Sequence, residues 1–236
     1  MLTQRLEKEV MNVKNLRNYL MAGLLTTVTT AQAGVIIGGT RVVFNAVAKE
    51  SSLQLSNPDN TPYLIQSWVE DNRKEGAKPS FILTPPLFRL DPDQKNILRI
   101  IRTEEALPEN KESLFWLNIK AIPSAPRQEN TLQFAVNTRI KLIYRPKSLK
   151  DGSPDAVADK LTWQLQGNEL KVINPTPYYM NFQSVNLSGK SIERVTYVAP
   201  NASTTFPLPF STSGGKIEWK IINDYGGIGK SHTASL

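Results

Sequence analysis

The stretch Thr131-Leu-Gln-Phe-Ala-Val-Asn-Thr-Arg-Ile-Lys-Leu-Ile-Tyr-Arg145 reads as one long β-strand with two different jobs along its length. Leu132, Phe134 and Val136 share one face, and Gln133, Ala135 and Asn137 the other, the period-2 pattern of a half-buried strand. The second half keeps apolar residues at Ile140 and Leu142 but sets Arg139, Lys141 and Arg145 among them, and Pro146 ends it. A plain core strand has little use for those cations.

Working outward, other short runs of the same kind follow at sandwich-like spacing. They are Thr40–Phe44, Ser52–Ser56, Tyr63–Val69, Phe81–Leu83, Ile97–Ile101 and Ser113–Ile119, with Asn57-Pro58, Pro85-Pro86 and Pro123 marking turns between them. Sixteen prolines and thirteen glycines between β-rich runs favour an all-β architecture, and the alternating strands predict an immunoglobulin-like sandwich. A polar, turn-rich stretch, Lys147 to Asp159, separates a second set: Leu161–Leu165, Glu169–Ile173, Tyr179–Phe182, Thr205-Phe206 and Lys216–Ile222. The predicted domains are therefore 34–150 and 151–236. All four tryptophans, Trp68, Trp116, Trp163 and Trp219, lie inside strand patterns and are expected in the cores.

The N-terminus reads as an export signal over residues 1–33. From Met11, the expected initiator, Lys14 and Arg17 form a positive region, Tyr19 to Val28 an apolar run too short to span a bilayer, and Ala31-Gln-Ala33 a cleavage site. The mature chain begins at Gly34 with 24 basic and 19 acidic residues, a net charge of +5. An exported chain with no cysteine is held together by its cores, since no disulfide can form. Its cations are scattered without an arginine–aromatic cluster, so nucleic acid is not an expected partner, and no segment is expected to insert into a membrane.

Chemistry finds little footing. His232, the only histidine, sits on the last few residues, where a catalytic triad or a histidine metal site is improbable. Gly227-Ile-Gly-Lys-Ser231 mimics the end of a phosphate-binding loop, but Asp224 stands where its first glycine is required, and the segment reads as a turn. The expectation is a protein that is not an enzyme and holds neither metal nor cofactor.

Arg139-Ile-Lys-Leu-Ile-Tyr-Arg-Pro146, Asn174-Pro-Thr-Pro-Tyr-Tyr179 and Asn223-Asp-Tyr-Gly-Gly227 together resemble the periplasmic pilus chaperones of the chaperone–usher pathway, the PapD and FimC type. Asn57-Pro58 to Trp68, Thr84-Pro-Pro86 to Leu90 and Glu112-Ser-Leu-Phe115 fit the same family, in family order, so the resemblance runs from about Gly34 to Tyr225. It implies two immunoglobulin-like domains set at an angle around a cleft, in the periplasm, with pilus subunits and the outer-membrane usher as partners. It also implies residue roles: Leu132, Phe134 and Val136 as a donor strand lent to an incomplete subunit, Arg41 and Lys141 as the anchor for the subunit's C-terminal carboxylate, and Glu112, Arg145 and Asp224 as an interdomain charge network. The short polar loop between Ile122 and Leu132, without cysteine, resembles the family members that serve rod-like pili. Self-association of the free protein, capping the same donor strand, stays open. So do two rival readings, a pilus subunit or adhesin and a sandwich-type sugar-binding module. The first is disfavoured because Gly34 leads straight into a strand, the second because the tryptophans sit in strand patterns.

Overall fold

A computed structural model describes residues 34–71, 79–124 and 132–236, and the predicted export signal lies outside the described residues. The first half builds β1 (Ile36–Ile37), β2 (Arg41–Asn45), β3 (Glu50–Ser56), β4 (Tyr63–Glu70), β5 (Phe81–Thr84), β6 (Leu87–Leu90), β7 (Lys95–Arg102), β8 (Ser113–Pro123) and β9 (Val136–Arg145). These form two facing sheets, of order β1-β3-β7-β5 and β2-β9-β8-β4-β6. Every second residue points inward: Leu53 and Leu55 of β3, Leu98 and Ile100 of β7, Phe115, Leu117 and Ile119 of β8, and Ile140, Leu142 and Tyr144 of β9 share one core. Phe81 sits at its centre, edge-on to Phe44 and Phe115 at 5.2 and 4.9 Å between ring centroids.

Three short helical turns follow, at Lys147–Leu149, Pro154–Val157 and Ala158–Lys160. The polar, turn-rich stretch Lys147 to Asp159 is thus partly helical, for a local reason. Ser153 Oγ accepts the Ala156 N–H and Pro154 opens the turn, a Ser-Pro start that serves a helix as well as a loop.

The second half builds β10 (Thr162–Gln166), β11 (Glu169–Asn174), β12 (Met180–Leu187), β13 (Lys190–Ser191), β14 (Tyr197–Val198), β15 (Ala202–Pro207), β16 (Lys216–Ile222) and β17 (Ile228–Ser235). Its sheets are β10-β11-β15 and β13-β12-β16-β17, with β14 also on β12. A separate core gathers Trp163, Trp219, Phe182 and Phe206 with Leu170, Val185 and Ile217. The all-β, two-sandwich architecture expected from the sequence is present.

Four expectations need correction. The opening strand begins at Val136, not Thr131: Leu132 to Ala135 lie outside the strand, and Thr131 lies outside the described residues. The β8–β9 ladder stops at Ala121 opposite Val136, and continuing its register would set Phe134 against Pro123, which has no N–H to donate. Gly227–Ser231 is not a turn, because β17 begins at Ile228, and His232 lies buried on that strand, its ring stacked on Trp219 with centroids 5.6 Å apart. Trp163 and Trp219 are core residues, whereas Trp68 and Trp116 are half-buried on the outer face of the β2-β9-β8-β4-β6 sheet. On that face an arginine–aromatic cluster does form, with Arg139 4.3 Å above the Trp116 ring. Its members come from different strands, so no local run of sequence shows it.

Candidate functional site

β9 and the segment leading into it carry the site, and burial changes along their length. Leu132 and Phe134, ahead of the strand, and Val136, its first residue, are 76, 72 and 61% exposed. Beyond Ile140 only the inward face is covered at first, but from Leu142 to Arg145 both faces are buried, because the second sandwich packs against the outer one. The strand therefore runs from open solvent into the junction between the two sandwiches.

β2 pairs with β9 in parallel, and only over Arg41–Asn45 against Lys141–Arg145. The edge of β9 from Val136 to Ile140 has β8 on one side and no described strand on the other. At the point where β2 begins, Arg41 and Lys141 stand directly opposite each other, on the outer face of adjacent strands. Arg41 Nη1 donates to the Ile222 carbonyl at 3.3 Å, and its Nε is buried without a partner. Burial lowers the Arg41 pKa against the pull of Asp224. Lys141 Nζ donates to Asn181 Oδ1 at 2.5 Å and lies 4.7 Å from the centre of the Tyr197 ring and 6.0 Å from that of Trp116. Burial, and then the neighbouring Arg41 charge, push its pKa down to about 8. Two cations thus share a half-buried spot where the oxygens they reach are neutral, an arrangement suited to an anion.

Four residues further along β9, Arg145 is buried and fully engaged. Its Nε donates to Glu112 Oε1 at 2.8 Å, and Nη1 and Nη2 grip the two oxygens of Asp224 at 2.6 and 2.7 Å. Nη1 also donates to the Gly152 carbonyl, and the guanidinium lies over the Tyr178 ring. Burial opposes the Arg145 charge, but the bonds and charges of Asp224 and Glu112 outweigh it and raise its pKa. Glu112, 2% exposed, is pushed up to about 7 by burial against the pull of Arg145 and of the Tyr179 N–H, which donates to its Oε2 at 2.7 Å.

Local sequence explains how these partners are presented. Asn174 Oδ1 accepts from Thr176 N and Oγ1 while its Nδ2 donates to the Tyr178 carbonyl, so the Asn174–Tyr179 loop is tied to itself and delivers the Tyr179 N–H to Glu112. The Pro177 carbonyl of the same loop accepts from the Glu112 backbone N–H. In the β16–β17 turn, Asn223 Oδ1 accepts from the N–H groups of Tyr225 and Gly227, and Gly226 takes φ 84° against the Thr40 side chain. Only glycine tolerates both that dihedral and that contact, and the turn so formed fixes Asp224 toward Arg145.

The structure therefore brings Glu112, Arg145 and Asp224 into one cluster, sets Arg41 beside Lys141, and leaves Leu132, Phe134 and Val136 in solvent. Sequence reasoning missed Asn181, Tyr197 and Trp116 around Lys141. Asn181 follows the Asn174–Tyr179 motif by two residues, but nothing in its local sequence points to a residue 40 positions away.

Residues 34–150 match the pili and flagellar-assembly chaperone, PapD N-terminal domain, and residues 156–233 the pili assembly chaperone PapD, C-terminal domain. The chain is 44% identical over 221 residues to chaperone protein FimC of Escherichia coli strain K12, covering 89% of both chains. It is 41% identical over 215 residues to chaperone protein PmfD of Proteus mirabilis, covering 86% of this chain and 84% of that one. Among solved structures, a chain in the complex of the Salmonella enterica SafA pilin with the SafB chaperone is similar at a TM-score of 0.80 and 41% identity, over 88% of this chain and 99% of that one. The E. coli chaperone DraB is similar at 0.77 and 42%, over 86% and 96%.

Proposed function

The chain belongs to the pili assembly chaperone family, and on that premise we propose that it binds pilus subunits in the periplasm by lending them a strand, then passes them to the outer-membrane usher. The observation that carries this reading is the start of β9 and the segment leading into it. Leu132, Phe134 and Val136 are three alternating apolar side chains held in solvent, and beyond them the edge of β9 over Val136–Ile140, which no described strand covers, ends at two adjacent cations. A subunit lacking one strand of its sandwich has a matching apolar groove and unpaired backbone groups. A strand of such a subunit laid parallel to β9 along Val136–Ile140 would point its C-terminus at Arg41 and Lys141.

Each part of the site has its own energetic role in this proposal. Burying Leu132, Phe134 and Val136 is worth roughly 5–9 kcal/mol before ordering costs, which makes apolar contact the source of affinity. That contact does not fix register, since a slip of two residues keeps the same face in the groove. Arg41 and Lys141, binding the terminal carboxylate, would fix it, because charge-assisted bonds are directional. Glu112, Arg145 and Asp224 would hold the two sandwiches, cut at 34–150 and 151–236, in the geometry the anchor needs. Residues 1–33 would serve as the export signal. No step calls for catalysis, and the free donor strand gives the protein a reason to cap itself by self-association.

The test is to express the protein with a C-terminal tag in its own host and identify what co-purifies from the periplasm with wild type and with Lys141→Ala. The expected result is small pilin-like subunits with wild type, lost with the variant while the chaperone stays folded. Equal recovery with both would refute the anchor, and no subunit with either would refute the function.

A further inference from the structure

Lys141 is held by an oxygen that carries no charge. An ammonium group has three donors and no acceptor, so the side chain facing it must present oxygen, and here that is Asn181 Oδ1 at 2.5 Å. Asn181 is 2% exposed and stands opposite Tyr197 on the β12–β14 pair, in the second sandwich, while Lys141 belongs to the first. The contact therefore crosses the junction. Tyr197, which lies against Lys141, is itself packed on Tyr179 with ring centroids 5.8 Å apart. The lysine has a fixed amide at its tip and an aromatic face at its side, and its charge stays uncompensated, consistent with its lowered pKa.

We propose that Asn181 is a positioning and specificity residue of the anchor, a neutral placeholder that holds Lys141 Nζ in place across the sandwich junction while leaving its charge free for an incoming carboxylate. The inference rests on the reading of Arg41 and Lys141 as a carboxylate anchor. The physics turns on one atom. An amide oxygen orients an ammonium group but does not neutralise it, whereas a carboxylate in the same position would do both and would occupy the anchor from within. Neutrality at position 181 is what keeps the anchor selective for an anionic terminus, and the hydrogen bond is what removes the conformational search from a four-carbon side chain. The neighbouring cation makes the same point. Arg41 also donates to a neutral oxygen, the Ile222 carbonyl, so both anchor cations are oriented without being discharged.

The probe is one synthetic peptide, of alternating apolar residues, made with a free C-terminal carboxylate and as its C-terminal amide. Affinities for both forms are measured by titration calorimetry on the full mature chain, as wild type, Asn181→Asp and Asn181→Ala, each checked for folding by urea unfolding. Wild type is expected to prefer the acid by roughly tenfold or more. Asn181→Asp, which swaps one NH2 for an oxygen, is expected to bring the two affinities within about twofold by weakening the acid alone. Asn181→Ala is expected to bind both forms a few-fold more weakly and so keep the preference, a pattern that survives as a test even if the aspartate variant does not fold. Retention of the full wild-type preference by a folded Asn181→Asp would overturn the inference, as would loss of the preference in a folded Asn181→Ala. A wild type that binds acid and amide alike would remove the carboxylate anchor itself, and this inference with it.

Discussion

Raising the pH should strengthen the fold and weaken its hold on cargo, through the same lysine. Lys141 has its pKa lowered from the ordinary 10.5 to about 8 by burial and by Arg41. An unfolded chain still binds a proton at this lysine up to its ordinary pKa, while the folded chain has released it. The unfolded state binds more protons in that window, so stability rises with pH from about 8 to about 10.5 and is lost again as pH falls back through 8. From pH 7.5 to 9.5 the undiscounted gain is about 2 kcal/mol, and about 1 kcal/mol after allowing for solvent screening of a half-exposed ammonium. Binding runs the other way. On the proposed reading a carboxylate beside Lys141 would restore its affinity for a proton, so the charge would be retained in the complex but absent from most free molecules at pH 9.5. Affinity for an acid-ending peptide should fall by about tenfold between pH 7 and 9.5 once screening is allowed for. Titration calorimetry and urea unfolding at both pH values, on wild type and Lys141→Met, measure the two effects. Binding that is flat with pH, or pH slopes that Lys141→Met shares in full, would refute the reasoning.

Two other perturbations separate fold from function. Asp224→Ala leaves a guanidinium whose side chain is only 6% exposed with Glu112 as its remaining carboxylate, and should cost about 2–4 kcal/mol, seen as a fall of about 1–2 M in the urea midpoint; an unchanged midpoint would show the cluster to be ornamental to the fold. Phe134→Ser changes a side chain that is 72% exposed, so the unfolding midpoint should stay within about 0.5 kcal/mol of wild type while the dissociation constant for a purified pilin subunit rises roughly 10- to 150-fold, measured by surface plasmon resonance.

What the sequence showed and hid follows from where each signal is written. In β3 the core-facing Leu53 and Leu55 alternate with Ser52, Gln54 and Ser56, while β4, β7 and β8 also carry apolar residues such as Leu64, Ile97 and Trp116 on the other face; these four strands were expected from sequence, whereas β6 was not. β17 has no such pattern. It is an edge strand, Ile-Gly-Lys-Ser-His-Thr-Ala-Ser, whose one buried side chain is His232, and its polar character read as a tail. The residues proposed as donors were visible because three apolar side chains alternate, yet the same alternation promised a strand that begins only at Val136. The charge cluster was visible only through the family resemblance, since Arg145 and Asp224 are 79 residues apart and either could pass for a surface charge. Asn181 had neither signal. Its partner is on another sandwich, and asparagine in a strand is chemically unremarkable until a lysine is found at its tip.

On the proposed reading, one continuous segment would couple three tasks that need not have shared a backbone. Phe134 and Val136 lie in solvent, Lys141 at the rim of the junction and Arg145 inside it, all within a dozen residues of continuous chain. From Lys141 to Arg145 is four residues of extended strand, about 13 Å, and the ladders with β2 and β8 hold that length rigid. Gripping Arg145 with Asp224 and Glu112 thus fixes the height of Lys141 above the junction, and on the proposed reading that would fix which side chain of an incoming strand meets Val136. Had the anchor been on a loop, apolar contact would still have supplied affinity, but the register of a two-residue repeat would have been free to slip. Placing the proposed anchor and clamp on the proposed donor strand would convert a non-directional apolar contact into a contact with one permitted alignment.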